Sequence, residues 1–280
     1  MRILITGANG QLGRQLQKQW HDVHEVVALD RLTGDVANRR LIEDAIAAHL
    51  PDVVVNAAAY TQVDRAETEQ ALAMEVNALG PENLMRACEK QKCTLIHIST
   101  DYVFDGTAQK PYEEWDYPTP LSVYGKSKFL GEKLLQTLGK RFFILRTSGL
   151  YGEGHNFVAT MLRLAKERKQ ISVVKDQINT PTSVVDLGRQ IDKLLCTDAY
   201  GLYHATCEGQ TSWFEFARAI MKQAGLETKI VPITTEEYPV QAPRPKYSVL
   251  ENSMLKIRGL NVMRPWEEAL KEYIAKGRSN

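Results

Sequence analysis

The chain of 280 residues is long enough for one large domain or two modest ones, and its 44% hydrophobic and 25% charged content is ordinary for a soluble globular protein. A net charge of +1 gives no sign of a nucleic-acid footprint or of attraction to an anionic membrane, so an anionic ligand has to be met by local charge. No stretch approaches the roughly 20 apolar residues of a membrane span, and the apolar run Met1–Gly7 is too short for a signal peptide.

Cys88, Cys93, Cys196 and Cys207 show neither CxxC spacing nor a companion His cluster, which argues against a structural zinc site or a disulfide framework. The expectation is a cytoplasmic protein with reduced thiols and no resident metal.

In chain order, Arg2–Thr6 reads as a buried strand, Gln11–Gln19 as a helix, Glu25–Leu29 as a strand, Asn38–His49 as a helix and Asp52–Asn56 as a strand. A long helix is expected over Gln70–Gln91, a strand at Thr94–Ser99, a helix over Ser122–Leu138 and a strand at Phe142–Arg146. The β-branched runs are continuous rather than alternating, which marks strands covered on both faces. Strand–helix alternation then implies an α/β fold, a Rossmann-type doubly wound parallel sheet with right-handed crossovers. Later helices at Phe157–Lys169, Ser183–Leu195, Trp213–Ala224 and Pro265–Ala275 are separated by short strands and proline-bearing loops. Two domains are expected: 1–150 binding a dinucleotide, and 151–280 forming a smaller substrate-binding lobe, with a soft boundary because later segments can return to the main sheet.

The run Ile5-Thr6-Gly7-Ala8-Asn9-Gly10-Gln11-Leu12-Gly13 leaves a strand and opens a helix, the setting in which backbone N–H groups meet a pyrophosphate. Its G-x-x-G-x-x-G spacing differs from the G-x-G-x-x-G of simple dehydrogenases. Asp30 stands where a carboxylate takes the adenosine ribose hydroxyls, while Arg31 beside it suits a 2′-phosphate, so NADP(H) and NAD(H) both stay open. In Gly34-Asp35-Val36 the carboxylate suits the adenine amino group, and a plain turn fits almost as well. Ala57, Ala58 and Ala59 are small enough for a flat cofactor to approach the backbone, or for close helix packing. Ser99-Thr100-Asp101 ends a strand at the edge where open α/β sheets take ligands; a hydroxyl there polarises a carbonyl or merely caps a turn.

Tyr124 and Lys128 lie four residues apart in Val123-Tyr124-Gly125-Lys126-Ser127-Lys128 and share a helix face. A nearby ammonium favours the phenolate, so Tyr124 is expected to titrate below the usual phenol value of about 10 and to exchange a proton near neutrality. Combined with the glycine turn, the pair points to a redox enzyme using a nicotinamide cofactor. Arg244, stiffened by Pro243 and Pro245, is either a phosphate clamp or a surface Arg in a turn. Asn156 opens a helix and suits an N-cap.

Taken together, these motifs resemble the extended short-chain dehydrogenases/reductases, and within them the dTDP-4-dehydrorhamnose reductase family. The resemblance is carried by Tyr60-Thr61-Gln62-Val63-Asp64-Arg65-Ala66-Glu67, Ser99-Thr100-Asp101-Tyr102-Val103-Phe104-Asp105-Gly106, Arg146-Thr147-Ser148, Asn156-Phe157 and Arg244-Pro245, and it covers essentially the whole chain. It implies reduction of the C4 ketone of a dTDP-sugar, dTDP-4-dehydro-L-rhamnose, by NADPH or NADH. Tyr124 would donate the proton, Lys128 would hold the nicotinamide ribose and Thr100 would hydrogen-bond the ketone oxygen. Asp101 and Tyr102 would lie against the hexose, with Asn156 and Arg244 on the substrate side. Gly10, Gln11 and Leu12 would line the pyrophosphate, and Asp30, Asp35, Val36 and Ala57–Ala59 the rest of the cofactor.

Two positions depart from the family pattern. Gly149 stands where the family often has Trp, and Gln15 stands where some relatives carry a Glu that joins a magnesium-bridged dimer. A neutral amide is a poor ligand for a hard cation, so a monomer or a homodimer without that bridge is expected. The rival readings are another nucleotide-sugar 4-ketoreductase or epimerase of this fold, and a non-catalytic regulatory subunit of the methionine adenosyltransferase type.

Overall fold

A computed structural model describes residues 1–278 apart from Pro239, so the last two residues of the expected C-terminal lobe lie outside the described residues. The first half runs β1 (Arg2–Thr6), α1 (Gln11–Trp20), β2 (Glu25–Leu29), α2 (Arg39–His49), β3 (Val53–Asn56), α3 (Val63–Ala66), α4 (Gln70–Met74), α5 (Gly80–Gln91), β4 (Thr94–Thr100), α6 (Val123–Leu138) and β5 (Phe142–Thr147). The second half holds β6 (Leu150–Tyr151), α7 (Phe157–Glu167), β7 (Gln170–Val174), β8 (Ile178–Asn179), β9 (Thr182–Ser183), α8 (Val184–Leu195), β10 (Gly201–His204), β11 (Thr211–Ser212), α9 (Trp213–Ala224), β12 (Lys229–Ile233), α10 (Ser253–Ile257) and α11 (Trp266–Arg278).

The central sheet has six strands in the order β10-β5-β4-β3-β1-β2, and every pairing in it is parallel. Along β1, Ile3 and Ile5 face Leu12 and Leu16 of α1 and Leu187 and Ile191 of α8, all buried. Leu4 between them joins Val54, Leu95 and Ile144 against Ile42 and Ile46 of α2, Leu84 of α5 and Leu135 of α6. Each apolar side chain so buried contributes about 1.5–3 kcal/mol. Helices on both faces bury these strand positions, and this explains the continuous apolar runs.

β10 comes from beyond residue 150 yet pairs with β5, in register from Gly201↔Phe143 to His204↔Arg146. A separate core in the second half gathers Tyr151, Val158, Phe216, Trp266 and Leu270, with Trp213 packed against it.

The helix expected over Gln70–Gln91 is interrupted by a π-helical turn at Glu75–Leu79 between α4 and α5. Asn77 in that turn accepts from Tyr60 N at 2.9 Å and donates to Tyr60 O at 3.0 Å, fixing the chain as it leaves β3. A Cβ on Gly131 would fall 2.3 Å from Asn77 O, so α6 lies directly against the π turn. Such turns recur at functional sites.

Candidate active site

A cleft of about 820 Å³ opens beyond the carboxyl ends of the central strands, where open α/β sheets take ligands. At its floor Gly7 has φ +68°, and a Cβ there would lie 2.6 Å from Ala58 N. A Cβ on Gly13 would lie 2.4 Å from Gly7 O. Gly7, Gly10, Gln11 and Leu12 line the cleft; Gly13 acts behind it, letting α1 start against the turn.

The α1 N-terminus has no side-chain cap, whereas α2, α6, α7, α8 and α9 are capped by Asn38, Ser122, Asn156, Ser183 and Ser212. The first-turn N–H groups of α1 are thus left for an anion, and a dinucleotide pyrophosphate fits them. Two buried oxygens on the wall, Gln11 Oε1 and Thr147 Oγ1, have no partner among the described residues, as expected where a polar ligand provides one.

At the adenosine end, Asp30 Oδ1 accepts from Leu32 N at 2.9 Å and from Thr33 N and Oγ1, both at 3.0 Å. Those bonds, led by the Thr33 amide, hold its carboxyl below the usual range. Arg31 is exposed on the rim, Asp35 accepts from Ala37 N at 3.0 Å, and Val36 is buried. These residues and Ala57, Ala58 and Ala59 all line the cleft.

Tyr124, Lys128, Thr100 and Asp101 stand at the other end of the same cleft. The start of α6 is fixed twice: Ser122 Oγ accepts from Gly125 N at 3.1 Å, and Glu67 accepts from Val123 N at 2.9 Å. Lys128 Nζ donates to Ile98 O at 2.6 Å; burial pulls it down to about 8, with Glu132 opposing. Burial pushes the Tyr124 phenol up to about 12, against a hydrogen bond with Thr100 and reinforced by Asp101. This corrects the expectation of a depressed phenol: desolvation of the phenolate prevails, and the Lys128 ammonium is directed at a carbonyl.

Thr100 Oγ1 donates to Asp101 Oδ1 at 3.1 Å, and Ser148 and Ser248 donate to Oδ2 at 2.8 and 2.6 Å. Burial outweighs these bonds and raises Asp101 to about 6. The Tyr102 ring stands edge-on to Tyr124, 5.9 Å between centroids at 77°.

Three expected substrate residues, Tyr102, Asn156 and Arg244, do not line the cleft. Asn156 caps α7, accepting from Ala159 N at 2.9 Å and donating to Gly152 O at 2.6 Å. Arg244 makes a forked pair with Asp64, at 3.0 and 2.7 Å, and Asp64 also accepts from the amides of Gln241 and Ala242. Arg244, the largest influence, holds the Asp64 carboxyl down at about 2.

The family model described as RmlD substrate binding domain matches residues 1–279. The chain belongs to that family. Among its relatives, the spore coat polysaccharide biosynthesis protein SpsK of Bacillus subtilis (strain 168) is 43% identical over 98% of this chain and 96% of its own length. The crystal structure of a dTDP-4-dehydrorhamnose reductase from Clostridium acetobutylicum superposes with a TM-score of 0.97 at 46% identity, covering 99% of this chain and 100% of that one. That of the dTDP-4-dehydrorhamnose reductase from Bacillus anthracis in complex with NADP gives a TM-score of 0.96 at 42% identity, over 98% and 99% of the two chains.

In this RmlD-family chain Gly149 lines the cleft with φ +54°, and a Cβ there would lie 3.1 Å from Pro181 Cα. The cleft wall at Gly149 is therefore bounded by the β8–β9 turn. Gln15 Nε2 donates to Gln19 Oε1 at 3.3 Å, and among the described residues no group of three or more His, Cys, Asp or Glu is placed to hold a metal ion.

Residue-by-residue reading gave no role to Thr61, Gln62, Arg65, Glu69, Ser148 or His155, which also line the cleft. Four of them lie on or just past the Tyr60–Glu67 stretch that carried the resemblance; that stretch was their only signal. The role of Glu67 in fixing α6 needed the tertiary structure.

Proposed function

We propose that this RmlD-family chain is an NADPH-dependent dTDP-4-dehydrorhamnose reductase, converting the C4 ketone of dTDP-4-dehydro-L-rhamnose to dTDP-L-rhamnose, with NADH as the alternative cofactor. One observation carries the reading: Tyr124, Lys128 and Thr100 share a cleft with the uncapped N-terminus of α1. Relatives at 46% and 42% identity bear the reductase name, one of them in complex with NADP.

Gly7, Gly10, Gln11 and Leu12 would hold the pyrophosphate, and Asp30, Arg31, Asp35, Val36 and Ala57–Ala59 the adenosine half and the approach to the ring. The bound cofactor supplies a hydride to the sugar C4. As negative charge builds on the ketone oxygen, Thr100 turns its hydroxyl proton from Asp101 to that oxygen and Tyr124 transfers its proton there. A phenol held up at about 12 is fully protonated at neutral pH, the state in which a reductase needs its acid. The Lys128 ammonium holds the ribose hydroxyls and steadies the phenolate left behind.

Asp101 orients Thr100 and borders the hexose, while Tyr102 backs Tyr124. We assign residues 1–150 to the cofactor and 151–280 mainly to the sugar nucleotide, with Arg244 and Asn156 shaping that side through Asp64 and Gly152. Gln15, a neutral amide, leads us to a monomer or a homodimer without a metal bridge, and the free thiols Cys88, Cys93, Cys196 and Cys207 suit the cytoplasm.

The test is loss of NADPH absorbance with dTDP-4-dehydro-L-rhamnose generated in situ, the product being identified. Stoichiometric dTDP-L-rhamnose is the expected result. An interconverted sugar with no net NADPH consumption would replace the reading by epimerisation.

A further inference from the structure

Behind the cleft wall a row of polar side chains crosses the sheet: Thr6 on β1, Asn56 on β3, His97 on β4 and Lys128 on α6, exposed by 0%, 0%, 0% and 2%. Their hydrogen bonds fix where the protons lie. Ala58 N donates to Asn56 Oδ1 at 3.2 Å, and Thr6 Oγ1 donates to the same oxygen at 2.8 Å. A backbone N–H can only donate, so the orientation of the Asn56 amide is set, and its Nδ2 is the atom 3.0 Å from His97 Nδ1. Nδ1 must then accept. A neutral His97 carries its proton on Nε2, which faces Lys128 Nζ at 3.4 Å. An ammonium has no lone pair to receive that proton, whereas an amine has one.

We propose that His97 is a positioning residue: locked by Asn56 as the Nε2–H tautomer, it donates to the amine form of Lys128 and thereby couples dinucleotide binding to proton uptake at Lys128. This rests on the reading above, in which the Lys128 ammonium holds the cofactor ribose.

Burial, then the Lys128 charge, keeps His97 well below its ordinary range, so the ring stays neutral. Lys128 itself, lowered to about 8, has both its forms within reach of mildly alkaline pH. The charged group that faces Lys128 from its own helix is Glu132, and Glu132 is paired with Arg146 of β5 at 2.7 Å. From β4 the titratable neighbour is His97. Below about pH 8 the protein meets its cofactor with Lys128 already charged; above it, binding of an anionic dinucleotide draws a proton from solvent onto the Lys128 amine.

Two measurements on the full chain test this. A two-bond proton–nitrogen spectrum, with His97 assigned from the backbone resonances, should show the neutral Nε2–H pattern at neutral and mildly alkaline pH; an Nδ1–H or imidazolium pattern overturns the proposal without any substitution. Calorimetric titration of NADPH at about pH 8.5, in buffers of different ionisation enthalpy, should show proton uptake by the wild type. In His97→Gln the side-chain carbonyl can accept from the ammonium. Uptake should shrink and the alkaline rise in the NADPH Kd should move up by about one pH unit. Identical uptake in the two proteins overturns the coupling. Neither readout involves turnover, so failure of the reductase assay would leave this result standing, and failure here would leave the reductase reading standing.

Discussion

Tyr124 and Asp101 lie at the end of one cleft, and burial moves both away from their usual titration, Tyr124 to about 12 and Asp101 to about 6. For Tyr124 the consequence is catalytic. Tyr124→Phe removes the proton and little volume, so turnover should fall by at least about 100-fold while the NADPH Kd, read by fluorescence, stays within a few-fold. Near-normal turnover would remove Tyr124 as the acid. For Asp101 the consequence is stability. Its folded-state pKa is raised, so its stabilising contribution is complete below the unfolded value of about 4 and is lost as pH rises through about 6. Between pH 5 and pH 8 the wild type should lose on the order of 1–1.5 kcal/mol relative to Asp101→Asn in urea unfolding, and parallel pH curves would refute the assignment. At this scale the sequence located the groups. It could not give the direction of the Tyr124 shift, because Tyr–Lys spacing says nothing of how much water the fold removes or of the carbonyl that Lys128 meets.

Five helices carry an Asn or Ser cap, while α1, like α3, α4, α5 and α10, has no side-chain cap, and α1 leaves the glycine turn that lines the cleft. The Asn156 cap was legible because an Asn at a helix start acts within four residues. The Glu67 carboxylate on Val123 N was not, since its partner is 56 positions away. Glu67→Gln keeps an acceptor and Glu67→Ala does not. The alanine variant should lose about 1 kcal/mol in stability and raise the NADPH Kd by moving Tyr124 and Lys128, with the glutamine variant close to wild type. Equal behaviour of the two variants would dismiss the contact. At the β2 end, Arg31→Ala should weaken NADPH binding about 10-fold with little change for NADH; matched losses would exclude Arg31 as the reader of the 2′-phosphate.

At the scale of the whole molecule, the two halves are joined by the β10–β5 pairing in the sheet and by the Asp64–Arg244 fork. Asp64 binds both the guanidinium and the amides of Gln241 and Ala242, so it anchors the proline-bearing loop of the second half to α3. Asp64→Ala should raise the KM for the dTDP-sugar several-fold while leaving the NADPH Kd unchanged; an unchanged KM would show that the anchor does not reach the substrate side. The sequence by itself determined the alternation of strands and helices, the strand–turn–helix glycine run, the Tyr–Lys pair and the family, because apolar period, backbone sterics and helix spacing are local properties written in neighbouring residues. Only the tertiary structure decided that β10 completes the sheet, that Arg244 is held by a carboxylate, that Asn56 sets the proton of His97 and that burial outweighs charge at Tyr124. Those outcomes depend on residues brought together from far along the chain and on the water their packing excludes.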